Sequence, residues 1–212
     1  MAADLQRHLD AIFEADRELR RLEALVVARE HSHAAAQLLT QAVRQASSLE
    51  DRRERVLRLE RLADMCAQVP AAGMADTLIG ILDSEDPSVR VHAADAIVDV
   101  AYERHLDVVR AIERALEAGG EGPAMAELPW VISEIGEANT VALIARFLSH
   151  RSGEVVASAV EALASFGAPE AIAPLEALMD DEREVTLDEP DSGTRVVISN
   201  LVRETIASLR GG

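Results

Sequence analysis

A single cysteine, Cys66, rules out a disulfide scaffold, because the thiol has no partner within the chain. Lysine is missing altogether: all 21 basic side chains are arginines, so neither Schiff-base chemistry nor a phosphate-binding P-loop lysine is open to this protein. A GC-rich coding sequence is the simpler account of that absence. Aromatic residues make up 2% of the 212 residues, too few for base stacking to carry nucleic-acid recognition. Positive charge is scarce as well. With 38 acidic residues the formal net charge is −17, the wrong sign for neutralising phosphates, and nucleic acid is not an expected partner. No uncharged apolar run reaches the roughly 18 to 20 residues of a membrane span, and the charged start Met1 to His8 does not read as a signal peptide. A soluble cytoplasmic location is the default expectation, with no membrane partner.

Chemistry-bearing patterns are equally sparse. The six histidines are scattered, and no serine or cysteine has a recognisable base partner. His31 and His33 lie two apart without a companion cysteine, a weak metal signal. Gly119-Gly120-Glu121-Gly122 reads as a helix-connecting turn whose glutamate would repel phosphate. No metal, cofactor or catalytic residue is expected, and Cys66 reads as a small buried hydrophobe at the end of an apolar helix face.

What the chain does have is repetition. Apolar residues recur at three and four, the signature of helices, with one doubtful extended stretch at Glu184 to Leu187. Residues 78–101 align without a gap on residues 144–167, at twice a 33-residue period. A weaker unit falls between them, with helices over 105–117 and 123–136 that set Ile132 and Ile135 where Ile97 and Val100 stand. A fourth unit begins at 168–179 and places Ile206 and Leu209 in the same two positions. Ser48 to Cys66 sets Arg55, Leu62 and Met65 opposite Arg90, Ile97 and Val100, and is either a degenerate first repeat or a chance likeness. Helix starts have physical causes: Asp86 as N-cap before Pro87, Ser152 in the equivalent place, Pro169 after Gly167, and Ser47 with Glu50 as a capping box. Each apolar face, such as Val89, Ala93, Ile97 and Val100, is too narrow to bury itself and needs stacked neighbours.

The segment Asp86-Pro87-Ser88-Val89-Arg90 with Ala93, Ala94, Ala96 and Ile97 resembles the second helix of a HEAT repeat, and Gly167 to Leu175, with its two prolines, resembles a first helix. The resemblance implies an all-α fold, a right-handed α-solenoid of antiparallel helix pairs whose second helices line the concave side and whose surfaces usually hold proteins. It is specific for fold and weak for function.

The chain divides on this reading at residue 70. Residues 1–70 form an N-terminal helical cap plus the degenerate repeat and carry 12 acidic and 11 basic side chains; residues 71–212 form the repeat array and carry 26 and 10. Residues 2–30 put Leu5, Leu9, Ile12, Phe13, Leu19, Leu22 and Val26 on one side, suited to covering the end of the array or, less readily because Asp16 and Glu23 interrupt the seam, to a coiled-coil homodimer. Arg52, Arg53, Arg55, Arg58 and Arg61 give this end its arginine excess. Residues 180–193, seven of them acidic, interrupt the fourth repeat, either as a solvated mobile loop or as an extended piece able to accept a partner strand.

Superposing the repeats aligns the acidic residues. One solvent-facing position of the second helices carries Asp95, Trp130, Glu161 and Glu204, and another carries Asp99, Glu134, Ser165 and Ser208. Trp130, the only tryptophan, follows Pro129 in the divergent repeat and is either a binding anchor in this acidic ridge or turned inward as filler. The expectation is a non-catalytic protein-binding scaffold or adaptor for a basic protein or peptide, with Trp130, Asp95, Asp99, Glu134, Glu161 and Glu204 as contacts. Two alternatives stand beside it. One is an acidic inhibitor or immunity-type protein that occupies a basic active site; the other, by fold analogy only, is a phycobilin-lyase-like enzyme. A DNA glycosylase on similar repeats would need a basic groove, which this charge balance opposes.

Overall fold

The computed structural model describes residues 1–28, 31–187 and 194–211. It is an all-α solenoid built from α1 (Ala2–Val26), α2 (Ser32–Ser47), α3 (Arg52–Gln68), α4 (Met74–Leu82), α5 (Pro87–Glu117), α6 (Pro123–Ile135), α7 (Thr140–Ala145), α8 (Gly153–Phe166), α9 (Ile172–Glu176) and α10 (Ile198–Gly211). Short 3-10 turns at Arg146–Ser149 and Pro169–Ala171 extend α7 and precede α9. The second helices α3, α5, α6, α8 and α10 pack in succession, each on the next, while α2, α4, the distal half of α5, α7 and α9 form the other layer.

Local chemistry sets the boundaries. Asp86 accepts from the Ser88 backbone N–H at 3.2 Å, with Pro87 at the first helical position. The capping box expected at Ser47 and Glu50 is not formed. Ser47 ends α2, its hydroxyl donating back to the Val43 carbonyl at 2.9 Å, and Asp51 caps α3 by accepting from Arg53 and Glu54 N–H. A carboxylate immediately before the helix body reaches those amides better than a hydroxyl tied to the preceding turn. Ser152 is the N-cap of α8 without a side-chain cap bond; its own N–H donates to His150 Nδ1 at 3.1 Å.

The break expected between residues 101 and 105 is a kink instead. Tyr102-Glu103-Arg104 contains no glycine or proline, and α5 runs through with only Arg104 leaving helical geometry (φ −137°, ψ 50°) while its guanidinium donates to the Ala71 carbonyl at 3.2 Å. One helix thus serves as second member of one pair and first member of the next.

The core is one continuous cluster along the array. Ile97, Ile132, Leu163 and Ile206, the aligned repeat positions, are all buried, as are Val89, Ala93 and Val100. Leu59, Ala63 and Cys66 extend it through α3, with Leu62 and Met65 packed partly against it. Burial pushes the Cys66 thiol up to about 12, so this cysteine should resist thiol reagents in the folded protein at pH 8 and react on unfolding in urea. Reaction in the native state at the rate of a free thiol would show that α3 does not pack as described.

Two parts depart from simple repetition. The apolar side of α1, from Leu5 through Leu25, is exposed, and only the end of the helix meets the array: Val27 packs on the core and Glu23 pairs with Arg61 at 3.1 Å. The apolar cover expected of a capping helix is therefore confined to that end. Between α9 and α10, Glu184–Leu187 (β1) and Thr194–Val197 (β2) pair antiparallel, with Glu184 opposite Val197. The extended stretch is a strand, and one of its two edges is taken by β2 within the chain. Asp180, Glu182, Glu184 and Thr186 are exposed, but the stretch is tied to the array between them. Asp181 accepts from the Arg183 side chain, which holds its carboxyl below its ordinary value. Arg183 also donates to the His150 and Arg151 carbonyls at 3.0 and 3.1 Å. Val185 is buried so close to Gly153 that a Cβ there would come within 2.8 Å of its methyl group. Residues 188–193 of the acidic segment lie outside the described residues.

Candidate protein-binding face

The register of the second helices is fixed by bonds between them. Ser158 Oγ in α8 donates to the Ala126 carbonyl in α6, which sets Glu161 one turn on beside the turn bearing Trp130. Ser88 Oγ at the start of α5 donates to Glu60 in α3 at 2.7 Å. Glu60 and Asp64 therefore continue the two rows into the first pair, giving Glu60, Asp95, Trp130, Glu161, Glu204 and, four residues on, Asp64, Asp99, Glu134, Ser165, Ser208. The alignment of Arg55 on Arg90 already carried this signal, since the same offset maps Glu60 on Asp95. Both arginines hold the turn ahead of their own helix: Arg55 donates to the Leu49 carbonyl at 2.5 Å, and Arg90 to the Ser84 carbonyl at 3.1 Å.

Trp130 points outward and is 41% exposed, because Leu128, Pro129, Val131 and Ile132 already fill the core side of α6. Pro129 sits inside a helix that continues past it; its ring is buried and its missing N–H leaves the Met125 carbonyl without a helical donor. Tyr102, one turn beyond Asp99 on the same side of α5, is 94% exposed and had no sequence signal beyond its helical spacing. Asp95, Asp99, Glu134 and Glu204 are exposed and Glu161 is half-buried. Among the described residues, none of these five carboxylates has a hydrogen-bond or ion-pair partner.

Acids elsewhere behave differently. Arg114 grips Asp76 with two bonds of 2.8 and 2.7 Å, Arg146 pairs with Glu113 at 2.5 Å and Arg210 with Glu176 at 2.9 Å. Arg52 binds Asp86 at 2.7 Å, holding that carboxyl below its ordinary value, and Arg90 binds Glu127 at 2.8 Å. All but the Arg210 pair, which joins the two helices of the fourth unit, link one repeat to another; the N-terminal arginine cluster is engaged too, Arg58 with Glu54 and Arg61 with Glu23. Arginines thus staple the array at several points, and among the described residues none of them reaches Asp95, Asp99, Glu134, Glu161 or Glu204.

Glu161 is held above its ordinary value by desolvation, with no cation to offset it. A carboxyl raised in the folded state binds protons more readily there than in the unfolded chain, so stability falls as pH rises through the folded value. Glu161→Gln should raise the melting temperature at pH 7, and the gain should vanish below the ordinary carboxyl value of 4.5. Thermal unfolding at both pH values reads this; an equal gain at both would assign the effect to shape rather than charge.

His33 Nε2 lies 3.3 Å from Gln37, and among the described residues no group of three or more histidine, cysteine or acidic side chains is arranged to hold a metal. No helix among them is long and apolar enough to cross a membrane.

Stacked helix pairs joined by bonds between successive second helices define an α-solenoid repeat protein. Residues 124–188 match the family model for HEAT repeats, from α6 into the segment after β1. The match covers 65 of the chain's 212 residues, and the chain as a whole is a helical repeat protein. It is similar to two crystal structures of engineered proteins from the Northeast Structural Genomics Consortium. One is 18% identical over 87% of this chain and 89% of that one, with a TM-score of 0.33. The other is 20% identical over 91% of this chain and 53% of that one, with a TM-score of 0.37. Comparison with curated proteins gives no match.

Proposed function

We propose that this protein is a non-catalytic scaffold or adaptor whose second-helix face receives a basic protein or peptide. The reading rests on five unpaired carboxylates, Asp95, Asp99, Glu134, Glu161 and Glu204, ranged in two rows on successive second helices around the exposed Trp130. Unpaired like charges along one surface cost stability, and a cationic partner removes that cost while the indole supplies apolar anchoring and a face for an arginine side chain. In this reading residues 71–212 are the binding array and residues 1–70 its N-terminal extension, working in the cytoplasm.

The test is capture from native lysate by the immobilised protein at low and high salt, beside the variant Trp130→Ala, Asp95→Arg, Glu134→Arg. Basic proteins retained at low salt by the wild type and lost with the variant support the proposal. An identical retained set overturns it. A captured nuclease blocked one-to-one would narrow the partner to an enzyme and the role to inhibition.

A further inference from the structure

The face of α1 carries an inference independent of the second-helix surface. In the helix frame, Leu5, His8, Ile12, Ala15, Leu19, Leu22 and Val26 follow alternating steps of three and four, a heptad seam in which only His8 is polar. Asp16 and Glu23, which interrupt a seam drawn through Leu9, fall beside this one. The helix spans 25 residues, about 37 Å, and Leu5 and Ile12 are 65% and 62% exposed.

Charge decides what this seam can take. Flanking positions on both sides carry Asp4, Asp16, Glu18 and Glu23, whereas all four arginines of the helix, Arg7, Arg17, Arg20 and Arg21, lie on the far side with Asp10 and Glu14. Two copies in parallel would set Glu18 against Glu23, and two antiparallel copies Asp16 against Asp16; neither arrangement makes one attractive pair. Glu23 is already bound to Arg61, while Asp4, Asp16 and Glu18 reach back only to Arg7, Arg20 and Arg21 in solvated pairs that rearrange at little cost.

We propose that α1 is the docking helix for an amphipathic helix of another protein whose apolar seam is edged on both sides by lysine or arginine. The seam supplies affinity, the acidic edges exclude a second copy of this chain, and the Glu23–Arg61 pair with Val27 anchors the assembled coil to the array.

Calorimetry with the full chain tests it, using a synthetic helix of about four heptads with isoleucine and leucine in the seam and lysine at the edges, beside the same helix with glutamate edges. The lysine-edged helix should bind one-to-one, the glutamate-edged helix at least about 100-fold more weakly, and the chain alone should remain monomeric in sedimentation. Ile12→Asp with Leu19→Asp should abolish binding without moving the melting temperature, since both positions are exposed. Equal binding of the two helices, self-association tighter than probe binding, or transfer of α1 to anionic vesicles would overturn the proposal. So would full binding by the Ile12→Asp, Leu19→Asp variant, which would move the lysine-edged helix onto the array face.

Discussion

Phe147→Ala is expected to cost about 3 to 5 kcal/mol, the largest loss of any single truncation considered. Phe147 is fully buried in the 3-10 turn between α7 and α8, and it is the bulkiest of the side chains sealed from solvent. Removing a ring there takes away the transfer free energy and leaves a cavity, because the turn ahead of Ser152 is held by His150 against the Gly120 carbonyl at 3.0 Å and by Arg183, which donates to the His150 carbonyl. Collapse onto the void is correspondingly limited. Equilibrium urea unfolding should give a lower midpoint with loss of cooperativity, as the pairs C-terminal to α7 separate from those before it. Phe166→Ala, at a position 37% exposed, is the control and should cost well under half as much. Similar losses for both would mean that the α7–α8 turn is not the packed joint described.

Reversing Asp95 and Glu134 to arginine is expected to weaken the basic partner by about 100-fold or more at low salt. Both side chains are exposed and unpaired and flank Trp130, one in the preceding repeat and one a turn further along α6, so the substitutions leave no broken staple behind. Most of the loss should fall on the association rate and shrink as salt rises, because exposed charges act through a screened field. Glu170→Arg with Glu182→Arg changes the formal charge equally at exposed, unpaired positions off the face. That pair should alter affinity far less. Equal losses from the two double variants would reduce the effect to net charge alone.

The repeat was legible because its determinants are local and recur: Asp86-Pro87 begins a helix wherever it falls, and Ile97, Ile132, Leu163 and Ile206 must meet the same neighbour in each pair. Ser48 to Cys66 resembles the later units weakly because its apolar positions are diluted by arginine, and α3 packs on α5. What sequence left open depended on contacts between repeats. Trp130 could not be assigned inward or outward until Leu128, Pro129 and Val131 were seen to fill the inner side. Nothing local tells that Asp76 finds Arg114 thirty-eight residues on while Asp95 finds no cation. Glu184 to Leu187 read as extended from its alternation, but its pairing with 194–197 depends on a return strand that begins seven residues after β1 ends and has no alternation long enough to mark it. The kink at Arg104 replaced a break because helix formers surround it.

If the second-helix face receives the partner, the chain carries its own reporter there, since Trp130 is the only tryptophan. Titrating the protein with an oligo-arginine peptide at low salt while following tryptophan emission tests it most directly. A saturable change in Trp130 emission, lost at high salt and in the Asp95→Arg, Glu134→Arg variant, is the predicted result. Calorimetrically detected binding of the same peptide with Trp130 emission unchanged would contradict the account, because the peptide would then occupy a different surface.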